Sequence, residues 1–145
     1  MKERITDFIE TQTCASVCCV DEQENPYSFS CFYAFNAEQF LLYFKSGNDT
    51  KHARFLSANP LVAGTILPDK IRKLTVKGIQ FEGNLLPQDH KLAESASTYY
   101  YNKHPLAKLI AGEVWTVCLN RIKFTDNSLG FGTKLMWERE INLSE

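Results

Sequence analysis

What most constrains the fold of this chain is a train of short apolar and aromatic runs, each stopped by a polar or proline-bearing turn. Residues 14–20 are small and β-branched, and they end in the polar stretch 21–25 before Pro26. An aromatic run follows over 27–35, a second polar turn over 36–39, and a third run, apolar on both faces, over 40–45. β-branched and aromatic residues fit a pleated surface, and strands joined by turns this short pair antiparallel, so the spacing predicts a meander.

Further strands are predicted over 61–67, 71–86, 114–119, 122–125 and 135–139. Gly78 predicts a bulge or a close backbone approach inside the longest of them, and Asn120-Arg121 a tight turn between two others. Gly130 and Gly132 predict positive φ in a closing loop with Phe131 between them. Helical spacing is confined to four stretches: 2–11, through Ile5, Phe8 and Ile9; 50–57; 88–102, through Leu92, Ala96 and Tyr99 or Tyr100; and 106–111, ended by Gly112. Seven or eight strands with so few helices predict a small antiparallel barrel whose helices plug or flank its ends. A length of 145 residues gives one domain, taken as 1–145, a sizeable core.

Charge and cysteine usage narrow the chemistry. Sixteen basic against seventeen acidic residues leave a net charge of -1, so no global field draws the protein onto nucleic acid or an anionic membrane, and any anion must be held locally. Cys14, Cys18, Cys19, Cys31 and Cys118 are odd in number and mostly lie in strand-like runs, which predicts reduced thiols in a cytoplasmic protein. They lack the paired spacings of a zinc site, so no metal is expected. The first residues are charged, with no apolar stretch of the kind a secretory signal or membrane span requires.

A local anion site is offered at LLYFKSGNDTKHARFLSANPLVAGTIL, residues 41–67, where a strand breaks at Gly47-Asn48-Asp49 and a basic helix opens on Thr50, Lys51 and His52. Backbone N–H groups at a helix start are unpaired and lie at the positive end of the dipole; here a hydroxyl, a full charge and a ring donor stand beside them. The same residues suit an ordinary helix cap, which on this segment alone is the commoner arrangement. Phe29, Phe32, Tyr33, Phe35, Phe40, Tyr43 and Phe44 crowd the two preceding strands, where they suit a barrel core or a surface for a flat ring. No nucleophile elbow, Walker loop or dinucleotide fingerprint is present, and Glu82, Glu94, Glu113 and Asp126 fall on separate elements, which gives a hydrolase little support.

Taken in order, the aromatic strand pair, LLYFKSG, the step TKHARFLSANPLVAGTI and the strand KGIQFEGNL resemble the FMN-binding split-barrel superfamily of pyridoxamine 5'-phosphate oxidase. EVWTVCLNRI and IKFTDNSLGFGTKLMW narrow the resemblance to a small bacterial branch. The resemblance implies a mainly β fold, a six-stranded antiparallel split β-barrel, Greek-key-like, with short helices at its ends. It also implies a homodimer with FMN in the interface clefts and a small-molecule substrate. Thr50, Lys51 and His52 would hold the phosphate; Phe44, Lys45 and Ser46 would edge the ribityl chain and ring; Phe32 and Tyr33 would line the isoalloxazine. Gln80 would approach its polar rim, and Trp115 would be contributed across the interface. The implied activity is FMN-dependent electron transfer between a reduced donor and a small planar acceptor. Residues 29–35 hold no basic anchor and Arg121 and Arg139 are the only arginines after Arg72, so oxidation of pyridoxamine phosphate itself is not expected. The alternative is a non-catalytic split-barrel module that has lost FMN and takes haem, a deazaflavin or a protein partner.

Overall fold

A computed structural model describes residues 2–130 and 132–140. Its seven strands are β1 (Cys14–Val20), β2 (Pro26–Asn36), β3 (Leu41–Ser46), β4 (Leu61–Ile66), β5 (Lys77–Leu85), β6 (Glu113–Asp126) and β7 (Lys134–Glu138). Three helices accompany them: α1 (Lys2–Thr11), α2 (Lys51–Ala58) and α3 (Ala96–Lys103). The sheet order is β3-β2-β1-β4-β5-β6-β7, and pairing of β3 with β6 closes the first six strands into an antiparallel split barrel, as the sequence predicts.

The split lies along β6. Its first half, from Glu113 to Cys118, pairs with β3, and its second half, from Arg121 to Thr125, pairs with β7. Arg139 stitches the two halves together. Its Nε donates to the Leu119 carbonyl at 2.8 Å, and its Nη2 donates to the carbonyls of Gln39 and Phe40 at 2.7 and 2.9 Å. Trp137 stacks on Phe40 with ring centroids 3.8 Å apart, and Phe40 adopts positive φ at the entrance to β3.

Several elements depart from the sequence reading. Residues 114–125 form no turn at Asn120-Arg121, because β6 runs through it. Gly83 pairs with Leu119 and Glu82 with Arg121, so Asn120 is the extra residue of a bulge, and its amide donates to the Asn84 side chain at 2.9 Å. Gly78 carries no bulge, since it pairs regularly with Thr125, but it does mark a close backbone approach: a Cβ there would lie 3.2 Å from the Ile66 carbonyl oxygen. Glycine is required more strictly at 83, where a Cβ would come within 2.4 Å of the Cys118 carbonyl oxygen.

The predicted long strand begins only at Lys77; residues 71–76 form a turn that leaves Ile71, Leu74 and Val76 exposed. The predicted helix 88–102 breaks into a 3-10 turn, Lys91–Ala93, and α3, because the His90 ring caps the turn by accepting the Leu92 N–H at 3.0 Å. Residues 106–111 become the 3-10 turn Pro105–Leu109. Gly130 and Gly132 do take positive φ, while Phe131 lies outside the described residues.

Burial explains why β3 is apolar on both faces. Leu42 and Phe44 point into the barrel core, whereas Leu41 and Tyr43 pack with Ala96 and Tyr100 of α3 outside it. α1 lays Ile5, Phe8 and Ile9 over one end of the barrel, with Phe8 against Phe124 at 5.0 Å. The start of α2 is held at the end of β3, which places the candidate site.

Candidate functional site

The chain turns from β3 into α2 through Gly47, Asn48 and Asp49. Thr50 is the N-cap: its backbone is extended and its Oγ1 accepts the Ala53 N–H at 3.1 Å. The helical ladder begins with the Arg54 N–H on the Thr50 carbonyl, so the N–H groups of Lys51 and His52 have no partner among the described residues. The exposed Lys51 side chain makes no hydrogen bond or ion pair among those residues. Arg54 is paired with Glu22 at 3.3 Å.

His52 turns inward. Its ring stacks on Phe29 with centroids 3.9 Å apart, and its Nε2 lies 2.7 Å from Ser46 Oγ. The Ser46 hydroxyl donates to the Gly47 carbonyl at 2.9 Å, which assigns the ring as donor to Ser46 through Nε2–H. Thr50 Oγ1 completes the cluster 3.3 Å from Ser46 Oγ. Burial holds the His52 pKa below its ordinary value of 6.5, so the ring is neutral near pH 7.

The depressed value has a consequence for stability. Above pH 6.5 His52 is neutral both folded and unfolded; as pH falls the unfolded state takes up its proton first, so the native state loses stability down through the lower folded pKa. Urea unfolding at pH 5 and 7.5 should show that loss, and His52→Gln should reduce it. An equal pH dependence in the variant contradicts this account.

Among the ten residues named from the sequence, Ser46, Thr50, Lys51 and His52 gather at the turn from β3 into α2, and Trp115 borders the cavity that Thr50 and Lys51 line. Phe44 and Tyr33 are fully buried and offer no ring face to a ligand. Phe44 packs against Phe29 at 5.6 Å and Trp115 at 6.0 Å, while the Tyr33 hydroxyl donates to the Ile9 carbonyl at 2.6 Å. Lys45 points away from α2, donating from Nζ to the carbonyls of Ala107 and Ile110. Phe32 is exposed and lies 5.8 Å from the His104 ring. Gln80 lines a different cavity, with Gly64, Glu82 and Lys123 on the outer face of the sheet.

Trp115 is a core residue of this chain, only 7% exposed, and its Nε1 has no hydrogen-bond partner among the described residues. It lines two neighbouring cavities. One, of about 490 Å³, lies at the start of α2 with Asn48, Asp49, Thr50 and Lys51; the other, of about 610 Å³, extends past Leu56 and Pro60 to Asn84 and Leu86. Asn48, Ser57 and Trp115 border both. The second cavity has no local sequence signal, because its walls come from α2, β5, β6 and the loops beside them.

Among the described residues, no cluster of histidine, cysteine and carboxylate side chains fit for a metal ion occurs. No helix of those residues is long and apolar enough to cross a membrane. All five cysteines are free, and burial pushes the Cys31 thiol up to about 12, where it is unreactive.

No protein-family model matches the chain. The UPF0306 protein plu4501 of Photorhabdus laumondii is 34% identical over 121 residues, which cover 83% of this chain and 85% of that protein. A heme binding protein from Mycobacterium smegmatis superposes with a TM-score of 0.80 at 12% identity over 94% of this chain, which spans 57% of that protein's length. A FAD-binding protein from Mesorhizobium loti superposes with a TM-score of 0.68 at 15% identity, covering 87% of this chain and 93% of that one. At these identities the structural likenesses are of fold alone.

Proposed function

The chain belongs to the UPF0306 family, and we propose that it uses its split barrel to bind FMN, held by the phosphate at the start of α2, as an oxidoreductase passing electrons from a reduced donor to a small planar acceptor. The observation that carries this reading is the pair of unpartnered N–H groups of Lys51 and His52, beside the free Lys51 ammonium and the Thr50 hydroxyl. These residues fit a phosphate: two dipole-aligned donors and one mobile cation suit a compact dianion. Asp49 borders the same cavity, so the anion belongs on the Lys51 side of it.

The chain's own residues have binding and orienting roles. Thr50 fixes the helix start and Lys51 supplies charge. Ser46 and His52 lock the first turn of α2 to β3, so that the free N–H groups keep one direction. FMN, when bound, supplies the redox chemistry, and no side chain need act as nucleophile. The protein is proposed to act as a homodimer. Leu106, Leu109 and Ile110 are exposed in sequence just after His104, whose ring lies beside the exposed Phe32, and these support an apolar face for a second copy.

The test is a titration of purified protein with FMN followed by visible absorbance. Saturable binding at micromolar concentration is expected, and its absence contradicts the reading. A haem-binding module is the rival, since the M. smegmatis neighbour is a heme binding protein. His52 and His104 both commit Nε2 to partners inside the protein, Ser46 Oγ and the Tyr33 carbonyl, whereas the exposed His90 uses only Nδ1 in its cap and keeps Nε2 for an iron ligand. Haemin in the same titration separates the two.

A further inference from the structure

We infer that the hairpin loop between β4 and β5, residues 67–76, is a docking element for an anionic membrane surface, its aliphatic side chains entering the headgroup boundary while its cations meet lipid phosphates. The contact is peripheral and separate from the flavin site.

β4 and β5 pair as far as Ile66 and Ile79, and the chain between them reads LPDKIRKLTVKG. Both ends of the loop are fixed. Asp69 accepts the Thr13 N–H and hydroxyl at 3.0 and 2.6 Å and donates its own N–H to the Gln12 side chain at 2.8 Å. The Val76 carbonyl accepts the Asn127 N–H at 2.9 Å. Between these anchors the chain turns at Lys73 and Leu74, with the Thr75 N–H on the Arg72 carbonyl at 3.2 Å. A loop held in this way presents its tip already ordered, which lowers the entropy lost on docking.

The tip carries apolar side chains into solvent. Leu74 is 97% exposed, Ile71 71%, Leu67 57% and Val76 56%. Single exposed aliphatics are ordinary, but a group of them on one loop marks an interaction site.

Charge selects the partner. Lys70, Arg72 and Lys73 are interleaved with these side chains and make no ion pair among the described residues. A cavity of about 540 Å³ between the loop and the end of α1 is lined by Lys70, Arg72, Thr75, Lys77, Thr11 and Ser128, donors that suit an anionic headgroup. Asp69 borders it too, with both its oxygens engaged by Thr13. A second copy of the chain is disfavoured, because a two-fold contact sets the patch against itself and brings like charges together. Nucleic acid is disfavoured because residues 67–77 hold no aromatic ring to stack on a base. Aliphatic side chains among unpaired cations match an anionic lipid surface, where the apolar groups enter the acyl boundary and Lys and Arg stay with the phosphates. With a net charge of -1 for the whole chain, the attraction is short-ranged and confined to this patch.

The test is co-sedimentation of the full chain with vesicles of phosphatidylcholine alone and of phosphatidylcholine and phosphatidylglycerol in equal parts, for wild type, Leu74→Asp and Arg72→Glu/Lys73→Glu. All three positions are exposed, so the variants keep the fold. The wild type should pellet with the anionic vesicles and stay in solution with the neutral ones. Leu74→Asp should weaken the association at least roughly fivefold and the charge reversal at least roughly tenfold. Inorganic phosphate should release the protein no better than chloride at equal ionic strength. A wild type that stays in solution with anionic vesicles, or binds both kinds equally, overturns the inference, as does wild-type-like binding by the charge reversal. Wild-type-like binding by Leu74→Asp also overturns it and assigns the patch to a soluble polyanion; selective release by phosphate overturns it and assigns the cavity to the free ion. Each outcome leaves the flavin reading untouched, because the cavity beside this loop shares no lining residue with the one at the start of α2.

Discussion

Phe44→Ala should lower the free energy of unfolding by about 3–5 kcal/mol, the range for deleting a buried aromatic ring. The family resemblance alone would make Phe44 an edge of a cofactor site, where truncation would cost affinity and little stability. The structure makes it a keystone: fully buried on β3, between Phe29 and Trp115, where the barrel closes against β6. Removing the ring also withdraws support from Phe29, on which His52 stacks. Urea denaturation measures the loss, and a cost under about 1 kcal/mol would show that this position is not closely packed.

The second large effect is expected at Arg139. Its guanidinium serves three backbone carbonyls, those of Leu119, Gln39 and Phe40, where β3 ends its coverage of β6 and β7 takes over. Hydrogen bonds from a charged donor contribute more than neutral ones, and truncation leaves those carbonyls short of a donor, so Arg139→Ala should cost about 3 kcal/mol. Arg139→Lys should recover little, because one ammonium cannot reproduce the planar fork. Amide exchange should quicken first in β7, which among the described residues pairs only with β6. Unchanged stability in Arg139→Ala contradicts the stitching role.

These two residues also show what was legible in the sequence. The helix start at Thr50 was readable because a cap is local: its hydroxyl, the Ala53 N–H and the following helix lie within a few residues. The strand train and its antiparallel order were readable for the same reason, since each turn announces itself in composition. The Asn120 bulge was not, because a polar pair in a strand looks like a turn until its partner strand is known. Nor could alternation say which aromatic residues face a core: β3 is covered on one side by the barrel interior and on the other by α3, so Phe44 and Tyr43 are both buried. Arg139 and the cavity beside Trp115 depend on contacts between distant elements that no spacing rule records.

Whether this barrel holds a flavin by its phosphate is read by comparing FMN with riboflavin, which lacks that phosphate, on wild type and on Lys51→Ala. Saturable micromolar binding of FMN by the wild type is expected, with riboflavin at least roughly tenfold weaker. Lys51→Ala should lose about 1–3 kcal/mol of FMN affinity while riboflavin is unaffected. Equal affinity for FMN and riboflavin, or no saturable binding of FMN, would contradict it.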